Sequence, residues 1–288
     1  MLRLLLPRFW FCVLQSGLVL GAITVTVPGV NALPSSPLAD HQSVKIAAKE
    51  NQSINFGLLK QALSTFFQAT VFQVESSLTI QAQSENQKLE VKSQNTTLTV
   101  LPRRFVSEIH LGSQQYFITS DGIKVWIYHR NNDEYTEMGF DEFQDSDDSF
   151  LIGLSSSFLL EIVRSLQPDQ ITTPIDQPKL LEAILTFFTQ DYRQEDLEFT
   201  QTNISVDNQD YSLYHYKNKS GDLELVLWIN TQTATMTKLQ IIGRDQGTQV
   251  DIQENIIQQT FNPTVDENSF RFQPSPALKK VETLPLEP

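Results

Sequence analysis

The chain has 288 residues, a formal net charge of −13, 40% hydrophobic residues and a single cysteine. Its acidity argues against nucleic acid as a partner and against polybasic docking on anionic lipid. With Cys12 the only thiol, an internal disulfide, a thiolate metal site and, once the leader is removed, a nucleophilic cysteine are excluded.

The first 32 residues have the parts of a secretory signal peptide. Arg3 and Arg8 supply the charge, an uncharged apolar stretch runs from Phe9 to Val30, and Val30-Asn31-Ala32 offers small residues before a cut at Leu33. A retained anchor is the alternative, because the stretch approaches the ~20 residues that span a bilayer. Gly17, Gly21, Thr24, Thr26, Pro28 and Gly29 dilute it and favour cleavage. Cys12 has bulky neighbours, so it is not read as a lipid-attachment site. The protein is expected in the periplasm or otherwise exported, and soluble after cleavage. Residues 33–50, rich in proline and small polar residues, read as a flexible leader.

A helix is predicted over 54–69 from the spacing of Leu58, Leu59, Ala62, Leu63, Phe66 and Phe67. Strand-like runs follow at 71–82, 88–101, 104–111, 116–119, 123–130 and 134–140, with Ser120-Asp121-Gly122 as a tight hairpin turn. The acidic stretch 141–148 leads into a predicted helix over 150–166, and a second helix is predicted over 179–189. Strands resume at 197–206, 211–217, 224–230, 235–242 and 249–258 and around Phe270–Phe272. The end, Pro274–Pro288, is proline-rich.

The order of helix, strands, helices and strands lacks the alternation of a doubly wound fold. Short connections force antiparallel neighbours. The fold class expected is α+β: a large curved antiparallel sheet forming an unclosed β-barrel, with helices packed over its concave face. The folded domain is placed at 51–282, with 283–288 a tail. Two strands are apolar on both faces. In Val125-Trp126-Ile127-Tyr128 and Leu225-Val226-Leu227-Trp228-Ile229, successive residues alternate faces yet both faces are apolar. An antiparallel sheet with one wet face alternates more cleanly. Either the core is thick, or the sheet and helices enclose an apolar space.

Catalytic motifs are missing: no nucleophile elbow, no P-loop, no dinucleotide fingerprint and no zincin helix. His41, His110, His129 and His215 are scattered. His110 and His129 could meet across strands, but the pair lacks a third ligand, so ordinary strand histidines are expected and no metal site. Asp145, Asp147 and Asp148 lack the glycine and distal glutamate of a calcium loop and are read as helix-capping acids. No enzyme activity and no cofactor is expected. Four glycosylation sequons occur, at Asn51, Asn95, Asn203 and Asn218.

The run Leu98-Thr99-Val100-Leu101-Pro102-Arg103-Arg104-Phe105, followed by Ser120-Asp121-Gly122-Ile123-Lys124-Val125-Trp126-Ile127-Tyr128, resembles the periplasmic lipoprotein-carrier (LolA-like) superfamily. So does the closing pattern Phe261-Asn262-Pro263, Asp266, Phe270, Phe272 and Pro274. The strand Leu227-Trp228-Ile229 resembles one in exported relatives with no assigned activity. The resemblance spans residues 54–282 in element order. It implies an unclosed barrel whose helices form a lid over a cavity for acyl chains. The carriers place an arginine before the proline to hold that lid through backbone carbonyls; here Leu101 precedes Pro102, with Arg103 and Arg104 after it.

Two functions follow. The first is an exported carrier or sensor for a hydrophobic ligand, a lipid or acylated protein. Its candidate ligand-binding residues are Phe66, Phe67, Phe105, Trp126, Tyr128, Phe158, Phe187, Phe188 and Trp228. The second is an envelope interaction module with a self-filled barrel core. A monomer is expected in either case.

Overall fold

The computed structural model describes residues 54–84, 88–166, 182, 197–218, 222–245 and 248–284. Helix α1, Phe56–Gln68, starts where Asn55 accepts a hydrogen bond from the Leu58 backbone N–H and satisfies one orphan donor of the first turn. The strands are β1 Val71–Gln83, β2 Lys88–Val100, β3 Arg104–Leu111, β4 Gln114–Asp121, β5 Lys124–His129 and β6 Glu134–Gly139. They are followed by α2 (Phe140–Gln144), a 3₁₀ turn (Asp147–Ile152) and α3 (Leu154–Leu166). The second set is β7 Leu197–Val206, β8 Gln209–Asn218, β9 Leu223–Asn230, β10 Thr235–Asp245 and β11 Thr248–Phe261, with a short β12, Lys279–Lys280.

Among the described residues all twelve strands form one sheet in the order β12-β6-β5-β4-β3-β2-β1-β11-β10-β9-β8-β7, which does not close on itself. It is two meanders joined along β1 and β11, and every pairing but that of β12 with β6 is antiparallel. This is the expected unclosed barrel with helices on one face, called here the inner face. The register places Phe105, Ile109, Phe72, Val74, Leu78, Ile252, Leu239, Leu227, Tyr214 and Phe199 on that face, where they form the core with α1, α2 and α3.

The hairpin at 120–122 forms as expected. Asp121 Oδ1 accepts from the backbone N–H groups of Ile123 and Lys124 at 2.8 Å each, and Gly122 takes φ 99°. The β7–β8 turn is tighter than the sequence reading, because Asp207 and Asn208, at φ 51° and 62°, make a two-residue turn that extends β8 back to Gln209.

Two expectations are corrected and one strand is added. The helix over 150–166 is split: Gly153, at φ 96°, ends the 3₁₀ turn, and the α-helix starts at Leu154. Phe270–Phe272 is not a strand; Glu267–Phe270 is a 3₁₀ turn capped by Asp266, whose side chain accepts from the Asn268 N–H. The added strand lies at Lys279–Lys280, where Lys279 and Val281 donate backbone N–H groups to Asp133 and Tyr135. The helix predicted over 179–189, the leader and the 1–32 segment lie outside the described residues, apart from Glu182. Among the described residues no helix is long and apolar enough to cross a membrane.

Candidate functional site

The inner face changes character in the middle. Strand β2 carries Lys88, Glu90 and Lys92 on its outer parity, which puts Ser93, Asn95, Thr97 and Thr99 inward, and all four are buried. Their neighbours across the register are Ser107 on β3 and Ser76 on β1. Glu254 on β11 is in phase with Val250 and Ile252 and is fully buried. A polar band thus crosses the centre of a face that is aliphatic and aromatic at both ends.

The 3₁₀ turn and the first turn of α3 sit on this band. Asn95 Nδ2 donates to Leu151 O and Thr97 Oγ1 to Ile152 O, each at 2.7 Å, with the Ser107 hydroxyl 2.7 Å from that of Thr97. Glu254 Oε2 accepts from the Ser155 backbone N–H at 2.7 Å. That N–H is one of the four with no partner inside the helix, so a strand carboxyl caps a helix from across the core. Ser155, Ser156 and Ser157 are all buried. Burial pushes the Glu254 carboxyl above its ordinary range, against the opposing effect of the Ser155 amide and the Ser76 and Ser155 hydroxyls. Gly153 is needed for two reasons: its φ is positive, and a Cβ there would lie 2.5 Å from Glu254 Oε1.

We call residues 147–166 the cover. Its far end is tied to α2, where Arg164 donates to Asp145 at 2.8 Å and pairs with Glu161. The acids read as caps divide accordingly. Asp145 pairs with Arg164, and the Asp147–Asp148 pair begins the 3₁₀ turn rather than an α-helix.

The candidate ligand residues fall into separate groups. Phe105 is on the inner face, 5.5 Å from Phe143 of α2, and is fully buried. Phe158 is on the cover, partly buried against the same core. Trp126 and Tyr128 face the opposite, outer side, where Phe272 of the C-terminal segment packs 6.3 Å and 6.0 Å from their rings and 5.4 Å from Tyr135. Trp126 Nε1 donates to Glu137 and the Tyr128 hydroxyl to Asp133. Trp228 is also on the outer side, against Tyr211, with the Lys238 ammonium 4.8 Å from its ring centroid. Phe105 and Phe158 therefore share a compartment that Trp126, Tyr128 and Trp228 do not enter. Phe66 and Phe67 belong to the last turn of α1, but their side chains, like Phe187 and Phe188, lie outside the described residues.

The two arginines after Pro102 take different partners. Arg103 is buried over the Phe140 ring and 3.4 Å from Asp141. Arg104 lies over the Phe270 ring and pairs with Glu267, on the outer side. The carbonyls of Leu151 and Ile152 accept from Asn95 and Thr97 instead. The two histidines do not meet: His129 stacks on Tyr116 within the inner face, while His110 is exposed beside Glu108. Among the described residues no group of three metal-ligating side chains occurs.

No protein-family profile and no curated protein matches the chain. Solved structures do. An uncharacterized conserved protein from Thermus thermophilus is 11% identical, over 79% of this chain and 98% of that one, with a TM-score of 0.39. A domain named for outer membrane lipoprotein sorting, from Vibrio parahaemolyticus, is 10% identical over 74% and 95%, with a TM-score of 0.32. A LolA superfamily protein from Nitrosomonas europaea is 12% identical over 76% and 99%, with a TM-score of 0.28. All three likenesses are at low identity.

Proposed function

We propose that this is an exported, non-enzymatic binding protein that carries or senses a hydrophobic ligand, a lipid or the acyl chains of a lipidated protein, held between the inner face and the cover. One observation carries the reading. The cover is seated on a band of buried polar side chains by discrete hydrogen bonds, whereas a permanent core would be apolar there. Polar groups under a cover are wetted without loss when it lifts, so the arrangement suits a part that comes off. On either side of the band lie apolar side chains, including Phe105 on the sheet and Phe158 on the cover. An acyl chain entering there gains about 0.8 kcal/mol per methylene removed from water.

Export follows from the leader read in the first 32 residues, and delivery would involve an acceptor in the envelope that binds the ligand more tightly. A self-filled interaction module is the competing reading. Its support is the packing of Phe72, Phe105, Phe140 and Phe143, all fully buried among their own neighbours.

Native mass spectrometry of the mature protein with added fatty acid or phospholipid separates the two. A stoichiometric acyl adduct that weakens in Phe158→Ala, with only a small change in urea midpoint, is the expected result. A bare mass at every lipid concentration, with Phe158→Ala costing several kcal/mol in stability, would replace the carrier by the filled-core module.

A further inference from the structure

Glu254 is the one described acid placed in the middle of the sheet's buried face, and its oxygens divide unequally. Oε2 holds the Ser155 N–H, and Oε1 makes no hydrogen bond. The groups around it are Ser76 and Leu78 on β1, Leu239 on β10, and Gly153 and Ser155 at the start of α3. None of them is charged or titratable near neutral pH. Among the described residues the carboxyl therefore faces no cation that would stabilise its ionised form, and what favours charge there is the amide end of α3 with the Ser76 and Ser155 hydroxyls. A bare carboxylate sealed in that position is far costlier than a neutral acid.

We infer that the cover is a proton-linked latch: with Glu254 protonated the first turn of α3 docks on it and the cover is closed, and ionisation of Glu254 releases the cover. The inference concerns the same cover as the proposed function but needs no ligand, so it can fail while ligand binding stands, and the reverse. The balance is simple. Closing takes one proton from water onto the carboxylate and removes it from contact with solvent; opening returns the proton and hydrates the anion. With the closed-state carboxyl raised above its ordinary range, closure is strongest below that range. It weakens as pH rises, by up to about tenfold per pH unit, until the raised value is passed. Asn95 and Thr97 add to closure at every pH, because their bonds to Leu151 O and Ile152 O do not titrate.

The test is amide hydrogen exchange on the full mature protein at a series of pH values between about 5 and 8, each corrected for the intrinsic rate. Peptides from 147–166 are compared with peptides from β1 and β2 in the same sample. The expected result is that the cover's protection falls with rising pH while the strands' does not. Glu254→Gln, which keeps an acceptor for the Ser155 N–H without a charge, should leave the cover protected and flat with pH. Thr97→Val should lower protection at all pH values and leave the slope unchanged. The inference is overturned if the cover exchanges only together with β1 and β2, or if the pH dependence survives in Glu254→Gln.

Discussion

Gly153 is where the backbone most narrowly limits its residue. Its φ of 96° suits glycine, and the Cβ of any other residue would stand 2.5 Å from Glu254 Oε1, so that the buried carboxyl would have to shift. Gly153→Ala is expected to lower stability by about 1–3 kcal/mol, read as a drop in urea midpoint. Gly139→Ala is the control: its nearest contact would be 4.0 Å away and its φ is −70°, so it should cost only the loss of a favourable N-cap residue, about 0.5–1 kcal/mol. The pair separates strain under the cover from the generic effect of losing a glycine. Some of this was readable in the letters. Lys88, Glu90 and Lys92 mark one face of β2 as wet, which turns Ser93, Asn95, Thr97 and Thr99 inward. Glu254 shares the parity of Val250 and Ile252. What the letters lack is the partner: nothing local to residue 254 says that Ser155 lies over it, because 99 residues separate them.

At the scale of elements, the C-terminal segment acts as a strap over the outer face. Phe272 is wedged among Trp126, Tyr128 and Tyr135, Phe270 is buried beneath the Arg104 guanidinium, and β12 adds a parallel pairing to the outer edge of β6. This explains why Val125-Trp126-Ile127-Tyr128 is apolar on both faces: one face meets the core and the other meets the strap. The thick-core alternative is the one realised at this place. Phe272→Ala is expected to cost about 1–3 kcal/mol and to shift Trp126 emission to longer wavelength as water reaches the indole. The strand expected around Phe270–Phe272 fails for reasons of context. Arg271 and Phe272 have strand-like letters, but Asp266 caps a 3₁₀ turn just before them and the chain leaves the sheet. The hairpins, by contrast, were legible because their turns are local: Asp121 folds back on its own next residues.

For the whole molecule, two buried carboxyls set opposite limits on the pH range of stability. Glu224 on the outer face of β9 joins three strands: Arg244 of β10 is 2.6 Å away, His215 of β8 2.9 Å and Lys217 of β8 3.3 Å. Burial pushes its carboxyl up, but the hydrogen bonds from Arg244, Lys217 and His215 outweigh that and hold it below the ordinary range. Because its folded value is depressed, its contribution is fully present above the ordinary carboxyl range. That contribution disappears as pH falls through the depressed value. Glu254 has the opposite sign: its folded value is raised, so its contribution is present below the ordinary range and lost as pH rises through the raised value. The urea midpoint of the wild type should therefore fall on both sides of a maximum. Glu254→Gln should remove the fall on the alkaline side while leaving the acid side intact. Glu224→Gln should be less stable than the wild type at neutral pH and converge with it on acidification. The two variants act on separate strands and opposite faces, so the double variant should show the sum of their curves. A shared response would mean that the β8–β9–β10 clip and the cover move as one unit, and the sheet would then have to be treated as a single switch.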